Sequence, residues 1–317
     1  MATTTDDAFA VTLLDVILGY DCNLACDYCT ITEAMRRRAL PTAAVVAELV
    51  RARSEGISRV SFTGGEPTLR RDLLALVRHA RALGFDDIKL QTNGLLLGAG
   101  DNLARLRAAG VDRVAVSIHT HEPGAYESLV RRAATHGAMV AGLRALVAAG
   151  VDASADVILQ RSTFARLPAA LQWLHALGVR AADLWFVSLS DGNRDNLASM
   201  PRMTEVMPAV HEGLAWARAH GMSVRSLHLP RCVLGEDHPH AWDPAAQGVR
   251  VVSPDAVFDL RRSKITGSQH VAACNGCRFA SQCPGVRADY LARYGDAEIA
   301  AARGQPATVA PRRLPGV

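Results

Sequence analysis

Short apolar runs that suit buried parallel strands alternate with longer stretches of helical period over roughly the first 190 residues, the pattern of consecutive strand–helix units. The runs predict strands over residues 12–18, 59–62, 88–91, 113–118, 153–159 and 184–188, with helices over 42–55, 69–83, 101–109, 139–149 and 168–177 between them. Several helical stretches stop at a glycine, Gly110 among them, where a left-handed C-cap would turn the chain into the next strand. A closed eight-unit barrel typically takes about 250 residues. Six units therefore predict an α/β fold, a partial (β/α)6 parallel barrel. A further helix over 208–220 ends at Gly221, after which turn-rich pieces containing Pro230, Pro239, Pro244 and Pro254 replace the periodicity. The expected division is a barrel over residues 1–228, a small C-terminal module over 229–294 and a flexible tail over 295–317.

Of the 317 residues 49% are hydrophobic and 21% charged, an ordinary globular composition. Lys plus Arg 35 against Asp plus Glu 31 gives +4 with no long basic block, so the electrostatic footprint of a dedicated nucleic-acid binder is missing. The chain opens on MATTTDDAFA, polar and acidic, and carries no apolar stretch of membrane-spanning length. A cytoplasmic protein with no membrane partner is expected. Thiols stay reduced there, and the seven cysteines, an odd number in two groups, then point to metal rather than disulfides.

The first group, in YDCNLACDYCT, places Cys22, Cys26 and Cys29 in C-x3-C-x2-C spacing just after the first predicted strand. Three thiolates on one short loop suit one face of a [4Fe–4S] cube and leave its fourth iron without a protein ligand. A structural zinc site wants four ligands, and the nearest histidines lie far along the chain. Three more motifs follow later strands: TGGEP at 63–67, QTNG at 91–94 and VSIH at 116–119. Parallel barrels carry their chemistry at the C-terminal ends of strands, and adjacent glycines at 64 and 65 permit close backbone approach to a ligand.

The cysteine loop, with the aromatic Tyr28 before its last cysteine, resembles the signature of the radical S-adenosylmethionine (SAM) enzymes, and the other three motifs occur in that family's order. The resemblance covers roughly residues 12–190 and continues in weaker form to about 294. It implies a [4Fe–4S] cluster on Cys22, Cys26 and Cys29 whose open iron chelates SAM. One electron then cleaves the sulfonium to methionine and a 5′-deoxyadenosyl radical, which takes a hydrogen atom from a substrate. It also implies that Gly64 and Gly65 lie against the SAM methionine group and that Glu66 accepts from its ammonium. Ser117 would contact the ribose or carboxylate, Asn93 would line the same pocket, and Arg131 or Arg132 would reach the carboxylate. Read on residues alone, Gly64, Gly65 and Asn93 also suit turns, Ser117 a local back-bond, and His119 and His121 a solvated loop.

The second group, in ACNGCRFASQCPG, carries Cys274, Cys277 and Cys283, with Cys232 about forty residues upstream. Four thiolates close a site, and such a set suits zinc and iron–sulfur clusters alike. The C-x2-C-x5-C run, with Gly285, Tyr290, Tyr294 and Gly295 behind it, resembles the core of the SPASM or shorter twitch module that follows the barrel in many radical SAM enzymes. It lacks a cysteine of the full SPASM pattern, where this chain reads GVRADY, so the resemblance implies one auxiliary [4Fe–4S] cluster. Cys232 has two readings: fourth ligand of that cluster, or free thiol returning a hydrogen atom to a substrate radical.

The likeness implies an enzyme and its first step. It leaves open oxidation, cross-linking or epimerisation of a peptide or of a small natural-product or cofactor precursor. With the first strand near residue 12, no N-terminal leader-recognition domain is expected. The expected partners are SAM, the substrate and a reductant such as flavodoxin or ferredoxin. The alternative from another class is a non-catalytic zinc-binding interaction protein on a barrel scaffold.

Overall fold

A computed structural model describes residues 11–242, 248–260 and 267–311; Lys264, Pro244 and residues 312–317 of the expected tail lie outside the described residues. Six parallel strands stand where the apolar runs predict them: β1 (Val11–Ile17), β2 (Arg59–Thr63), β3 (Asp87–Thr92), β4 (Arg113–Ser117), β5 (Asp152–Leu159) and β6 (Ala181–Phe186). Their helices are α1 (Thr42–Ser54), α2 (Leu73–Ala82), α3 (Asn102–Ala109), α4 (Pro123–Val130), α5 (His136–Ala148) and α6 (Leu167–Ala176), followed by α7 (Met203–Ala219). At the end of α3 the amide of Gly110, at φ 116°, donates to the carbonyls of Leu106 and Arg107, the left-handed stop that lets Val111 turn back toward β4.

Register fixes which side chains share a face. Asp15 pairs with Ser61 and Ser61 with Lys89, while Ser117 pairs with Asp156 and Asp156 with Asp183. Because side chains alternate along a strand, Leu14, Val16, Val60, Phe62, Ile88, Leu90, Val114 and Val116 point under the helices and are buried. Asp15, Ser61, Lys89, Gln91, Ser117, Asp156 and Asp183 take the opposite face and line the lumen of the partial barrel. Fully apolar packing outside and a polar wall inside is what a barrel that binds something requires.

The sheet runs beyond six strands. β7 (Ser223–Leu227) lies parallel to β6, β8 (Gly248–Val252) lies parallel to β1 at the other edge, and β9 (Val257–Asp259) is antiparallel to β8. The strand order is β7-β6-β5-β4-β3-β2-β1-β8-β9. The expected end of barrel periodicity at Gly221 is corrected: β7 reads SVRSL, polar because an edge strand exposes Ser223 and Arg225. β8 and β9 likewise assign part of residues 229–294 to the barrel sheet.

The rest of the C-terminal region comprises α8 (Arg231–Leu234), the antiparallel pair β10 (Ser268–Gln269) and β11 (Val286–Arg287), α9 (Ala288–Tyr294) and α10 (Ala297–Ala302). Arg287, 4% exposed, fastens it to the barrel by pairing with Asp289 and donating to Phe186 O at the end of β6 and to Ser188 Oγ just beyond it. Asp289 in turn accepts from Leu189 N at 2.8 Å. The expected flexible tail is corrected over its described part. α10 buries Ile299 and Ala300, and the Asp296 carboxylate accepts from the amides of Thr308 and Val309, each at 2.9 Å. Among the described residues no helix is long and apolar enough to cross a membrane.

Candidate active site

The loop after β1 carries the first three cysteines, and the end of β2 holds that loop. Gly65 N donates to Gly19 O at 2.9 Å and Glu66 N to Asp21 O at 2.8 Å. A Cβ on Gly65 would stand 2.2 Å from Asp21 O and 2.5 Å from Tyr20 O; one on Gly64, where φ is 145°, would stand 2.3 Å from Gly19 O. The close approach that these glycines permit is thus to the backbone of the cysteine loop. Arg36 ties the loop further, donating to Cys22 O at 3.0 Å and Leu24 O at 2.8 Å, and Arg132 donates to Asn23 O at 2.6 Å.

Glu66, 3% exposed, anchors the motif after β3. Its Oε1 accepts from Thr68 N at 2.9 Å, Thr68 Oγ1 at 2.5 Å and Thr92 Oγ1 at 2.7 Å, and its Oε2 from Asn93 N at 2.7 Å. Oε1 is saturated, whereas Oε2 retains acceptor capacity. Asn93 Nδ2 donates to Asn23 Oδ1 at 2.7 Å, so the QTNG segment also grips the cysteine loop. Ser117 ends β4, half-buried on the lumen face. Arg131 stands apart from these groups: exposed and left-handed at φ 55°, it rims a cleft beside Cys22 together with Arg36, Arg37 and Arg132.

Burial pushes the Cys26 thiol up to about 12, with the neighbouring Cys29 and Cys22 adding to the shift. Cys22 and Cys29 move in the same direction, burial again being the main cause. These are values for metal-free thiols; a bound cation inverts them, because iron takes thiolates. Leu24 N donates to Cys22 Sγ at 3.4 Å, and the Ile31 amide and the Tyr28 hydroxyl hold the Cys29 and Cys26 thiols down against the effect of burial. Clustered, partly desolvated thiols with donors aimed at them fit an iron–sulfur cluster.

His119 is not a solvated loop histidine. It is 5% exposed, its Nε2 lies 2.6 Å from the Tyr28 hydroxyl, its Nδ1 accepts from Ile158 N at 3.2 Å, and burial pushes its pKa down to about 3. The signal was available in VSIH, since two residues beyond lumen-facing Ser117 the same face continues.

The second group converges. Cys232 on α8, Cys274, Cys277 and Cys283 line one small cavity with His270, Phe279 and Arg303. Burial and then the sulfurs of Cys283, Cys277 and Cys274 push the Cys232 thiol up to about 11. His270 Nε2 donates to Cys283 O at 2.8 Å, and Arg303 Nε to Ala273 O at 3.2 Å, which ties α10 to the cysteine turn. The four thiols surround this space. Among the described residues no three His, Cys, Asp or Glu side chains draw together tightly enough to share a single metal ion.

Sequence reasoning missed the lumen wall. Asp156 accepts from Gln91 Nε2 at 2.7 Å and Trp185 Nε1 at 3.2 Å, and Asp183 accepts Arg225 in a two-bond fork at 2.7 and 2.6 Å. Lys89 acts on both Asp15 and Asp156 without closing an ion pair on either; burial raises the pKa of both carboxyls against its pull. Polar residues at alternate positions inside apolar runs, such as the Asp in VTLLDVI, were the signal.

A protein of Methanopyrus kandleri described as a probable GTP 3′,8-cyclase is 38% identical over 157 residues, 48% of this chain and 49% of that protein. GTP 3′,8-cyclase 1 of Mycobacterium tuberculosis is 35% identical over 150 residues, 44% of this chain and 41% of that one. The matches therefore span about half or less of the length of these curated relatives. Among solved structures, Streptococcus suis SuiB bound to S-adenosylmethionine shares the fold with a TM-score of 0.69 at 13% identity, over 89% of this chain and 74% of that one. Native anSMEcpe with AdoMet and a peptide gives 0.57 at 15% identity, over 68% and 63%. The family model of the Radical SAM superfamily matches residues 16–174, half of the chain, from the end of β1 with its cysteine loop through to α6. On that match, carried by a partial parallel barrel with the three-cysteine loop at the top of its first strand, the chain belongs to the radical SAM superfamily of enzymes, whose members use a [4Fe–4S] cluster and SAM.

Proposed function

We propose that this enzyme uses SAM to oxidise a polar small molecule or peptide held in the barrel lumen, and that it carries two [4Fe–4S] clusters. Superfamily membership sets aside the non-catalytic zinc-binding alternative. One observation carries the choice of oxidation: Cys232 faces Cys274, Cys277 and Cys283 around a single cavity. Cys22, Cys26 and Cys29 would hold the SAM-binding cluster with one iron open, whereas four thiols would hold an auxiliary cluster with none open to substrate. When bound, the first cluster supplies the electron that cleaves the SAM sulfonium and the second accepts one. Cys232 as a ligand is not free to return a hydrogen atom, which speaks against epimerisation. In such a reaction the substrate would give one hydrogen atom to the SAM-derived radical, one electron to the auxiliary cluster and one proton to a carboxylate of the lumen wall, a net two-electron oxidation.

Around SAM, Glu66 Oε2, Asn93 and Ser117 would supply polar contacts, Tyr28 the aromatic edge, and Gly64 and Gly65 the fixed loop. Arg131 belongs with Arg36, Arg37 and Arg132 to a basic approach beside Cys22 that suits an acidic one-electron carrier such as flavodoxin or ferredoxin. In the lumen, Arg59 and Arg113 are taken by Asp87 and Arg225 by Asp183, leaving Lys89 as the cation without an ion pair among the described residues. The triphosphate of GTP, the nucleotide in the curated relatives' names, finds no cationic cradle among the described residues of that wall. Hydroxyl, amide or amine groups find Asp15, Gln91, Asp156 and Lys89.

Anaerobic reconstitution tests the reading. About eight irons per chain and dithionite-dependent release of 5′-deoxyadenosine are expected. Cys232→Ala is expected to fall to about four irons while still cleaving SAM. Full iron content with stalled product formation in that variant would instead make Cys232 a hydrogen donor.

A further inference from the structure

β5 extends past the last residue of β4, and beyond that point the amide of Ile158 donates to His119 Nδ1 at 3.2 Å. A ring nitrogen that accepts carries no proton, so the neutral imidazole bears its hydrogen on Nε2. Nε2 lies 2.6 Å from the Tyr28 hydroxyl oxygen, the rings meeting edge to face with centroids 4.6 Å apart. Nε2–H therefore donates to that oxygen, and the phenolic hydrogen is left to point elsewhere. Beside it stands Cys26, two residues back on the same loop, whose thiol the Tyr28 hydroxyl holds down against the effect of burial. Every bond in the chain has its direction set by the backbone amide at its start.

We infer that the relay from Ile158 N–H through His119 and Tyr28 to Cys26 Sγ makes Tyr28 and His119 positioning residues that raise the reduction potential of the cluster on Cys22, Cys26 and Cys29. The inference rests on the cluster-binding reading above. Hydrogen bonds to cluster sulfurs are one of the means by which a protein sets an iron–sulfur potential, because they stabilise the added negative charge of the reduced state. A strand-end cap and an aromatic contact alone would leave the potential where it was.

The test is an EPR-monitored redox titration of the reconstituted full chain. Tyr28→Phe keeps the ring and removes the donor; it is expected to leave about tenfold less reduced cluster at a given potential, a shift of 59 mV to more negative values for one electron. His119→Ala should shift the potential the same way by less, since the phenol keeps its hydrogen, and the double variant should shift it no further than Tyr28→Phe. A Tyr28→Phe protein with normal iron content that titrates like the parent overturns the relay. Independently of metal, nitrogen-15 NMR of the metal-free chain should find His119 as the Nε2–H tautomer, and an Nδ1–H tautomer overturns it too. Failure of Cys22, Cys26 and Cys29 to take up iron would sink the cluster reading instead and leave the tautomer result standing.

Discussion

Replacing Gly65 with alanine should damage this protein out of proportion to one methyl group. The added Cβ would lie 2.2 Å from Asp21 O and 2.5 Å from Tyr20 O, and both obstacles are backbone that cannot rotate aside. Relief requires the loop after β1 to move away from β2, which breaks the hydrogen bonds from Gly65 N to Gly19 O and from Glu66 N to Asp21 O. Overpacking of this kind costs about 1–3 kcal/mol, and two backbone hydrogen bonds add about 1 kcal/mol each. The expected loss is thus roughly 3–5 kcal/mol, read as a lower urea midpoint for the metal-free chain with little change in slope. Gly124→Ala is the matched control: a Cβ there meets nothing within 4 Å, and in the first turn of α4 alanine should change stability by less than about 0.5 kcal/mol. The same displacement should cut iron uptake by Cys22, Cys26 and Cys29. A Gly65→Ala protein that loses less than about 1 kcal/mol and loads iron normally would refute the claim that these glycines clasp the cysteine loop.

Two further outcomes follow from charge. Burial would raise the Asp87 pKa, but the guanidiniums of Arg113 and Arg59 outweigh it and hold the carboxyl below its ordinary value. Its stabilisation is present above the unfolded pKa near 3.9 and is lost as pH falls through the lower folded value, so Asp87→Asn should flatten the fall of the urea midpoint below about pH 4; an unchanged slope would count against the pair of arginines. Asp289→Ala strands Arg287, 4% exposed, without its anion and should cost about 3–5 kcal/mol in chemical unfolding. A loss under about 1 kcal/mol would show that the C-terminal region is held to β6 by other contacts.

The strands β1 to β6 were legible because each is apolar enough to be buried on one face and its glycine-ended helix marks the return. β7 was not, since an edge strand exposes Ser223 and Arg225 and carries no apolar run. α4 was also missed: Pro123–Gly124 reads as a turn, although proline is well placed in the first turn of a helix. At the site, the spacing of Cys22, Cys26 and Cys29 announces a cluster loop because all three ligands are local. The approach of Cys232 to Cys274, Cys277 and Cys283 depends on how α8 packs, which no spacing encodes. Gly64 and Gly65 were found for an incomplete reason: their missing side chains make room for the protein's own backbone.

The placement of β8 beside β1 has a consequence for how the chain is made. Thr12, whose hydroxyl donates to Gly248 O across that pairing, is 236 residues from it in the chain. A ribosome adding about 5–20 residues per second needs on the order of ten to fifty seconds to connect them. For that time β1 waits with one row of backbone donors and acceptors unpaired, the kind of edge that invites another nascent chain. The strand that leads into the cysteine loop is thus synthesised before every other described strand of the sheet and is among the last to be completed, and losses during expression should begin there, before any iron is needed.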